Sequence, residues 1–198
     1  ALPALPVLPA LPAPSDELPE GVTGAQLSSD ETVDLTACGA LTVAQVRRCA
    51  MALATNSSLT TVKVGASELR VDDLRAMEEL EWDNEEYTDV EAIIIAELLK
   101  ANTNVLRIDL SRNEISDAGA CALALMLAEN STIVHLNLAF NTFGMHGGDA
   151  MLQVVGKNTS LTYLNLRSSA IAHPIAVHTQ GAIRRAWQQG DRSAGLHM

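Results

Sequence analysis

The sequence predicts an α/β solenoid, a stack of strand–helix units with a curved parallel sheet inside and helices outside. Stretches that begin at Val105, Ile133 and Leu161 start 28 residues apart and carry apolar residues at their first, fourth and sixth places. Apolar, helix-forming runs separate these stretches. In addition, 47% of the residues are hydrophobic but only 3% are aromatic, which suits many thin aliphatic layers. A fixed period of this length indicates similar units that bury their apolar faces against one another.

The strands are expected to pair side by side in parallel. Residues between the apolar places then point away from the core, because side chains alternate along a strand. Neighbouring helices lie roughly 10 Å apart, whereas neighbouring strands lie about 4.8 Å apart. The stack must therefore curve, with the sheet on the inner arc.

Helices are predicted where capping residues precede apolar stretches of helical period. These helices cover residues 43–54, from Thr88 or Asp89 to residue 101, the stretch after Ser116-Asp117, and residues 149–155. Three glycines at 144, 147 and 148 are expected to loosen the entry to the last of them.

Asparagines recur in phase at two turns. Asn113 and Asn141 follow strand stretches, where a side-chain amide can bond to the neighbouring backbone. Asn56, Asn130 and Asn158 each begin an Asn-x-Ser/Thr triplet, the acceptor pattern for N-glycosylation. Because the triplets recur with the repeat, turn formation is the better interpretation.

Three segments divide the chain. Residues 1–29 are expected to form an extended tail rich in Pro and Leu, and residues 30–170 about five repeats. One repeat, near residues 59–76, is shorter than the rest. Residues 171–198 are expected to cap the stack with a helix that opens at Pro174, since terminal repeats need a polar cover.

The tail has prolines at positions 3, 6, 9, 12, 14 and 19, a spacing that favours extended or polyproline conformation. One interpretation is a disordered linker. The tail is, however, unusually apolar for a solvated linker. We therefore favour a tail that lies along a neighbouring protein and contacts it through Leu2, Leu5, Val7, Leu8 and Leu11.

The stretch Val105–Asn130 follows the pattern Leu-x-x-Leu-x-Leu-x-x-Asn with an Ile-x-Asp-x-Gly continuation. It resembles leucine-rich repeats of the ribonuclease-inhibitor type, and the resemblance covers about residues 30–170. Residues 122–138 are similar to the repeats of tropomodulins. The class includes ribonuclease inhibitor, sensors of innate immunity, activators of Ran-type GTPases and actin-capping tropomodulins. The resemblance therefore implies a binding protein.

The outward places of the predicted strands are the candidate partner-binding surface. An acidic patch at one end is followed by a mixed basic and aromatic patch, and Tyr and Arg are favoured anchors at interfaces. The alternative is a solvated sheet face without a partner. The candidate residues are Glu79, Glu81, Asp83, Arg107, Asp109, His135, Asn137, Tyr163, Asn165 and Arg167.

Several function classes are disfavoured by composition. The net charge of −11 argues against nucleic acid and anionic membranes as partners. No run of 18 apolar residues occurs, so no membrane insertion is expected. Glu79 and Glu81 stand on an open face, and the five histidines lack ligand spacing. We expect no enzyme activity, cofactor or metal.

The predicted function is a non-catalytic protein–protein interaction module. Three cysteines, an odd number, fit reduced thiols inside a cell. A structural subunit or scaffold, anchored in a larger intracellular assembly through its tail and repeats, is favoured, and the sequence does not choose among a cytoplasmic, a ciliary and an organellar host. The alternative is a regulatory binder, such as a GTPase activator or a tropomodulin-like actin cap.

Overall fold

The computed structural model describes residues 17–167 and 196–197. The helices are α1 Gly24–Ser29, α2 Val43–Leu53, α3 Val71–Ala76, α4 Asp89–Leu99, α5 Asp117–Glu129 and α6 Met145–Val155. The strands are β1 Thr32–Asp34, β2 Thr61–Val64, β3 Ser67–Arg70, β4 Glu79–Glu81, β5 Arg107–Asp109, β6 His135–Asn137, β7 Tyr163–Asn165 and β8 Leu196–His197.

Five parallel strands, in the order β4 to β8, form the larger sheet. Residues at matching places of successive units face one another, so the ladder has the predicted 28-residue period from β4 to β7. One ladder row consists of Glu79, Arg107, His135 and Tyr163, and another of Glu81, Asp109, Asn137 and Asn165. The predicted strand pairing is confirmed here.

The core lies between this sheet and a layer formed by α4, α5 and α6, in which each helix packs against the next. The middle residues of the strands form one buried column of Leu80, Ile108, Leu136 and Leu164. The predicted apolar places therefore face the helices. This arrangement leaves the other two residues of each strand on the opposite side of the sheet.

The short second unit departs from parallel pairing. Strands β2 and β3 form an antiparallel hairpin, in which Val62 faces Leu69, and Gly65 in its turn has a φ of +57°. With β1 they form a separate three-stranded sheet. Parallel strands need a crossover of about a dozen residues or more, which the two-residue turn cannot supply. Strands β1 and β2 pair in parallel as predicted, but the expectation of one continuous parallel sheet is wrong at this point.

Two of the predicted helix starts are confirmed by capping boxes. The Thr42 hydroxyl accepts a hydrogen bond from the backbone N–H of Gln45, whose side chain bonds back to the Thr42 backbone. Thr88 and Glu91 form the same reciprocal pair at α4. Helix α6, however, begins at Met145 rather than at residue 149.

The asparagines after the strands join successive units. The Asn113 Nδ2 donates to the carbonyl of Trp82 (2.8 Å), one unit earlier. The Asn141 Nδ2 donates in the same way to the carbonyl of Leu110 (2.9 Å). Both asparagines are buried, and they fix the turns that follow the strands.

The triplet asparagines are also buried in turns. Each Nδ2 donates to backbone carbonyls of the preceding unit, so the side-chain nitrogen that a glycan would occupy is already bonded. The shortest of these bonds join Asn56 to Asp30 (2.9 Å), Asn130 to Leu99 (2.7 Å) and Asn158 to Leu127 (2.7 Å). The interpretation of these triplets as turns is confirmed.

The ends of the chain are described in part. Helix α1 lies within the segment 1–29 that was predicted to be extended, and its Leu27 is fully buried. The predicted closing helix after Pro174 lies outside the described residues, as do the five apolar residues of the tail, Leu2, Leu5, Val7, Leu8 and Leu11. Among the described residues, no helix combines the length and the apolar character needed to cross a lipid bilayer.

Candidate protein-binding surface

The sheet side that faces away from the helices carries the predicted site residues. We call this surface, formed by the first and third residues of β4 to β7, the strand face. Its β4 end is exposed, and toward β7 its side chains are partly buried. The structure brings eight of the ten candidate residues onto this face: Glu79, Glu81, Arg107, Asp109, His135, Asn137, Tyr163 and Asn165.

An ion pair joins the predicted acidic and basic patches. The Arg107 Nη1 lies 3.2 Å from the Glu79 Oε1, and both side chains remain more than half exposed. An exposed pair of this kind contributes about 0–1 kcal/mol. Arg107 is therefore held beside β4, and Glu81 and Asp83 remain as the exposed carboxylates at that end.

Two rings stack at the other end of the strand face. The rings of His135 and Tyr163 lie 3.9 Å apart between centroids with an interplanar angle of 13°. Partial burial lowers the pKa of His135, and the nearby charge of Arg107 lowers it further, against the opposing effects of Asp109 and Glu79. Burial and Arg107 therefore favour a neutral imidazole, and the two stacked rings offer a flat surface.

Hydrogen bonds orient the second row. The Asn137 Nδ2 donates to the Asp109 Oδ2 (2.7 Å), and the Asp109 Oδ1 accepts bonds from the Ser111 N–H (2.8 Å) and hydroxyl (2.6 Å). The Asn165 Oδ1 accepts from the Arg167 N–H (3.1 Å). Asp109, Asn137 and Asn165 of this row are consequently held in place before any partner binds.

The second residue after each strand is exposed in some units and buried in others. Asp83 and Arg167 are exposed, as predicted. Ser111 and Ala139, which alternation also predicts to point outward, are only 8% and 2% exposed. The chain bends after the strand, and the following residue takes the outward place.

Two exposed residues at this bend were missed as binding candidates by simple alternation. Phe140 is 50% exposed, and the Arg112 guanidinium carbon lies 6.0 Å from the centroid of its ring. Both have a left-handed backbone, with φ of +59° and +58°. The sequence offers one signal for this position. Phe140 is one of only two phenylalanines, and it lies between the core residue Leu138 and the turn residue Asn141.

The described cysteines have no activated thiol. Burial raises the pKa of both Cys49 and Cys121 to about 11, so both remain protonated at neutral pH. Within residues 17–167 and 196–197, His, Cys, Asp and Glu side chains form no cluster suited to a metal ion.

A family model described as "Leucine Rich repeat" matches residues 101–124, 129–152 and 157–174. The three matched stretches begin 28 residues apart, in phase with the strand ladder. The chain contains leucine-rich repeats. Stacks of such repeats build extended binding surfaces, so these repeats support a function in protein–protein interaction.

Two solved structures are similar to this chain. The structure titled "Leiomodin-1 Actin-Binding Site 2 (ABS2)" is 19% identical, with 81% of this chain and 80% of that chain covered and a TM-score of 0.46. The tropomodulin C-terminal domain of Caenorhabditis elegans is 14% identical, with 85% and 90% covered and a TM-score of 0.46. No curated protein sequence matches this chain significantly.

Proposed function

We propose that this chain is a non-catalytic structural subunit of a larger intracellular assembly, held there through its strand face and its N-terminal tail. The observation that carries the proposal is the strand face itself. Four parallel strands place two rows of polar and aromatic side chains on one side of a sheet whose other side is filled by helices. Such a surface suits contact with another protein.

The contacts within the strand face support this function. The Glu79–Arg107 pair, the Asp109–Asn137 bond and the His135–Tyr163 stack hold the side chains in one arrangement. Binding normally loses about 0.5–1.5 kcal/mol for each mobile side chain that becomes ordered. A face that is already ordered avoids much of that loss, and Tyr and Arg are frequent anchors of interface energy.

The proposed contact residues fall into two groups. On the repeats they are Glu79, Glu81, Asp83, Arg107, Asp109, His135, Asn137, Tyr163, Asn165 and Arg167. In the tail they are Leu2, Leu5, Val7, Leu8 and Leu11. The free thiols of Cys38, Cys49 and Cys121 support an intracellular site, where disulfides are rare.

Affinity purification of the tagged full chain from its own cells, after cross-linking and with quantitative mass spectrometry, tests the proposal. We expect a defined set of partner proteins whose recovery falls at least about tenfold for the variant Arg107→Ala/Tyr163→Ala, as for loss of interface anchors. The matched control is Glu129→Ala/Lys157→Ala, two exposed changes on the helix side, which should retain the partners.

Deletion of residues 1–16 tests the tail separately. We expect the deleted chain to lose part or all of the same partner set while keeping its unfolding midpoint. Unchanged recovery for both the face variant and the deletion would reject the structural-subunit proposal.

One observation favours the regulatory alternative. Arg112 is exposed and has no ion-pair partner within residues 17–167, so its guanidinium is accessible to a nucleotide phosphate, whose charge an activating arginine stabilises. Assays with a small GTPase loaded with GTP, and with polymerising actin, distinguish this function. A rate change that Arg112→Ala abolishes would favour the regulator over the structural subunit.

A further inference from the structure

Three non-glycine residues at the same place in successive units have left-handed backbones. Asn84, Arg112 and Phe140 have φ of +58°, +58° and +59°. Their N–H groups donate to the next unit, at Ser111 (3.0 Å), Ala139 (2.8 Å) and Arg167 (2.8 Å). This backbone ladder imposes the conformation. Asn tolerates it well, whereas for a bulky residue it costs about 1–2 kcal/mol.

Burial of the Phe140 side chain adds little stability to offset the strain of this backbone conformation. Half of its side chain is exposed, while the other phenylalanine, Phe143, is fully buried. A buried Phe stabilises a fold by about 1.5–3 kcal/mol, and Phe140 obtains only part of that. Residues held in a strained backbone conformation cluster at binding and switch sites, which makes the exposed Phe140 ring a candidate contact.

Arginines stand in the units directly before and after Phe140 in the backbone ladder. The Arg112 guanidinium lies over the Phe140 ring at 6.0 Å, and the Arg167 carbonyl accepts the Phe140 N–H. Neither guanidinium has an ion-pair partner within residues 17–167, although Arg70, Arg75 and Arg107 all do. In a chain of net charge −11, two exposed arginines without such a partner therefore accompany an exposed apolar ring.

We propose that Phe140, Arg112 and Arg167 bind a short segment of another protein that presents an apolar side chain flanked by carboxylates. The apolar side chain covers the ring, and Arg pairs with carboxylates in bidentate geometry. This inference rests on the proposed function and names the chemistry of its partner.

The negative charge at the β4 end of the strand face favours one orientation of the bound segment. Glu81 and Asp83 are exposed carboxylates beside β4, so they repel a segment that is acidic along its whole length. A segment that is acidic only where it meets Phe140 satisfies both ends. Charge complementarity therefore selects one orientation of the partner.

Selection of random 12-residue peptides displayed on phage, against the immobilised full chain, tests the inference. We expect enriched peptides with Asp or Glu on either side of Leu, Ile or Phe. The synthetic form of an enriched peptide is then titrated by fluorescence anisotropy. Phe140→Asn, which places the residue of position 84 in the same backbone, should weaken binding at least about tenfold. Arg112→Glu/Arg167→Glu should do the same.

The control is Met145→Gln, which removes another exposed apolar side chain (41% exposed) and should change the affinity less than about twofold, since it lies outside the proposed contact. Unfolding midpoints show that each variant is folded, and Phe140→Asn should be at least as stable as the wild type. Peptides that depend on Tyr163 and not on Phe140 would overturn this inference and leave the proposed function standing. Enrichment of no peptide would count against both.

Discussion

Asp117, the first residue of α5, caps the next helix through Gly147: its Oδ1 accepts the Gly147 N–H at 2.8 Å and the Gly144 N–H at 2.8 Å. One unit earlier, the Asp89 Oδ1 accepts the Gly119 N–H at 2.9 Å. Each helix therefore satisfies the free N–H groups at the start of its successor. The bond also explains why α6 begins earlier than its glycines suggest.

Asp117→Ala should destabilise the stack. The change leaves two helix N-terminal N–H groups without their acceptor, and loss of an N-terminal cap costs about 1–2 kcal/mol. Urea unfolding followed by circular dichroism measures the difference. Glu129→Ala, at the other end of the same helix, removes an exposed carboxylate and should change the free energy of unfolding by less than about 0.5 kcal/mol.

Gly119→Ala should destabilise although Ala is the better helix former. An added Cβ would lie 2.7 Å from the Asp89 Oδ1, 2.7 Å from the Ile115 Cγ2 and 2.9 Å from the Ala92 Cβ. Overpacking costs about 1–3 kcal/mol, which exceeds the gain of about 1 kcal/mol in helix propensity. Gly24→Ala, whose Cβ meets nothing within 4 Å, is the control and should be neutral or stabilising. Equal changes in the free energy of unfolding for the two variants would refute a close approach of α4 and α5 at Gly119.

Asn130→Ala should be among the most damaging single changes. The Nδ2 donates to the carbonyls of Leu99 (2.7 Å) and Asn102 (2.9 Å). The Oδ1 accepts the N–H groups of Thr132 (2.8 Å) and Ile133 (2.9 Å). Each buried group that loses its partner costs about 1–3 kcal/mol, so we expect a loss of at least about 2 kcal/mol. A smaller loss of unfolding free energy than that of Asp117→Ala would contradict the role of Asn130 in joining successive units.

Stability should fall in mild acid because of His135. Its pKa in the folded chain is below the ordinary value of 6.5, so the unfolded chain binds the proton more readily. The free energy of unfolding therefore decreases as the pH falls below about 6.5, and the loss levels off below the folded pKa. His135→Gln should reduce the difference between urea midpoints at pH 7.5 and 5.5. An unchanged difference would show that His135 does not couple to folding.

The sequence predicts the repeat region well because one period places every buried strand residue. Spacing alone assigns Ile108, Leu136 and Leu164 to the core, and they form one column. The hairpin of β2 and β3 was missed because Val62 and Leu69 fit parallel and antiparallel pairing equally well. Only the two-residue connection, with Gly65 at positive φ, decides between them.

The edge of the binding surface was less predictable for a different reason. Alternation assumes an extended backbone, but the chain bends one residue after each strand. Ala139 is therefore buried and Phe140 exposed, the reverse of the alternating pattern. The Glu79–Arg107 and His135–Tyr163 contacts across neighbouring strands follow from the confirmed register, yet side-chain geometry was needed to show them.

Photo-cross-linking in cells tests the binding role of the strand face most directly. The chain carries p-benzoylphenylalanine in place of Tyr163 or, as the helix-side control, in place of Lys157, and covalent adducts are identified by mass spectrometry. We expect a discrete protein adduct from position 163 that is absent from position 157. Adducts from position 157 alone would contradict binding through the strand face.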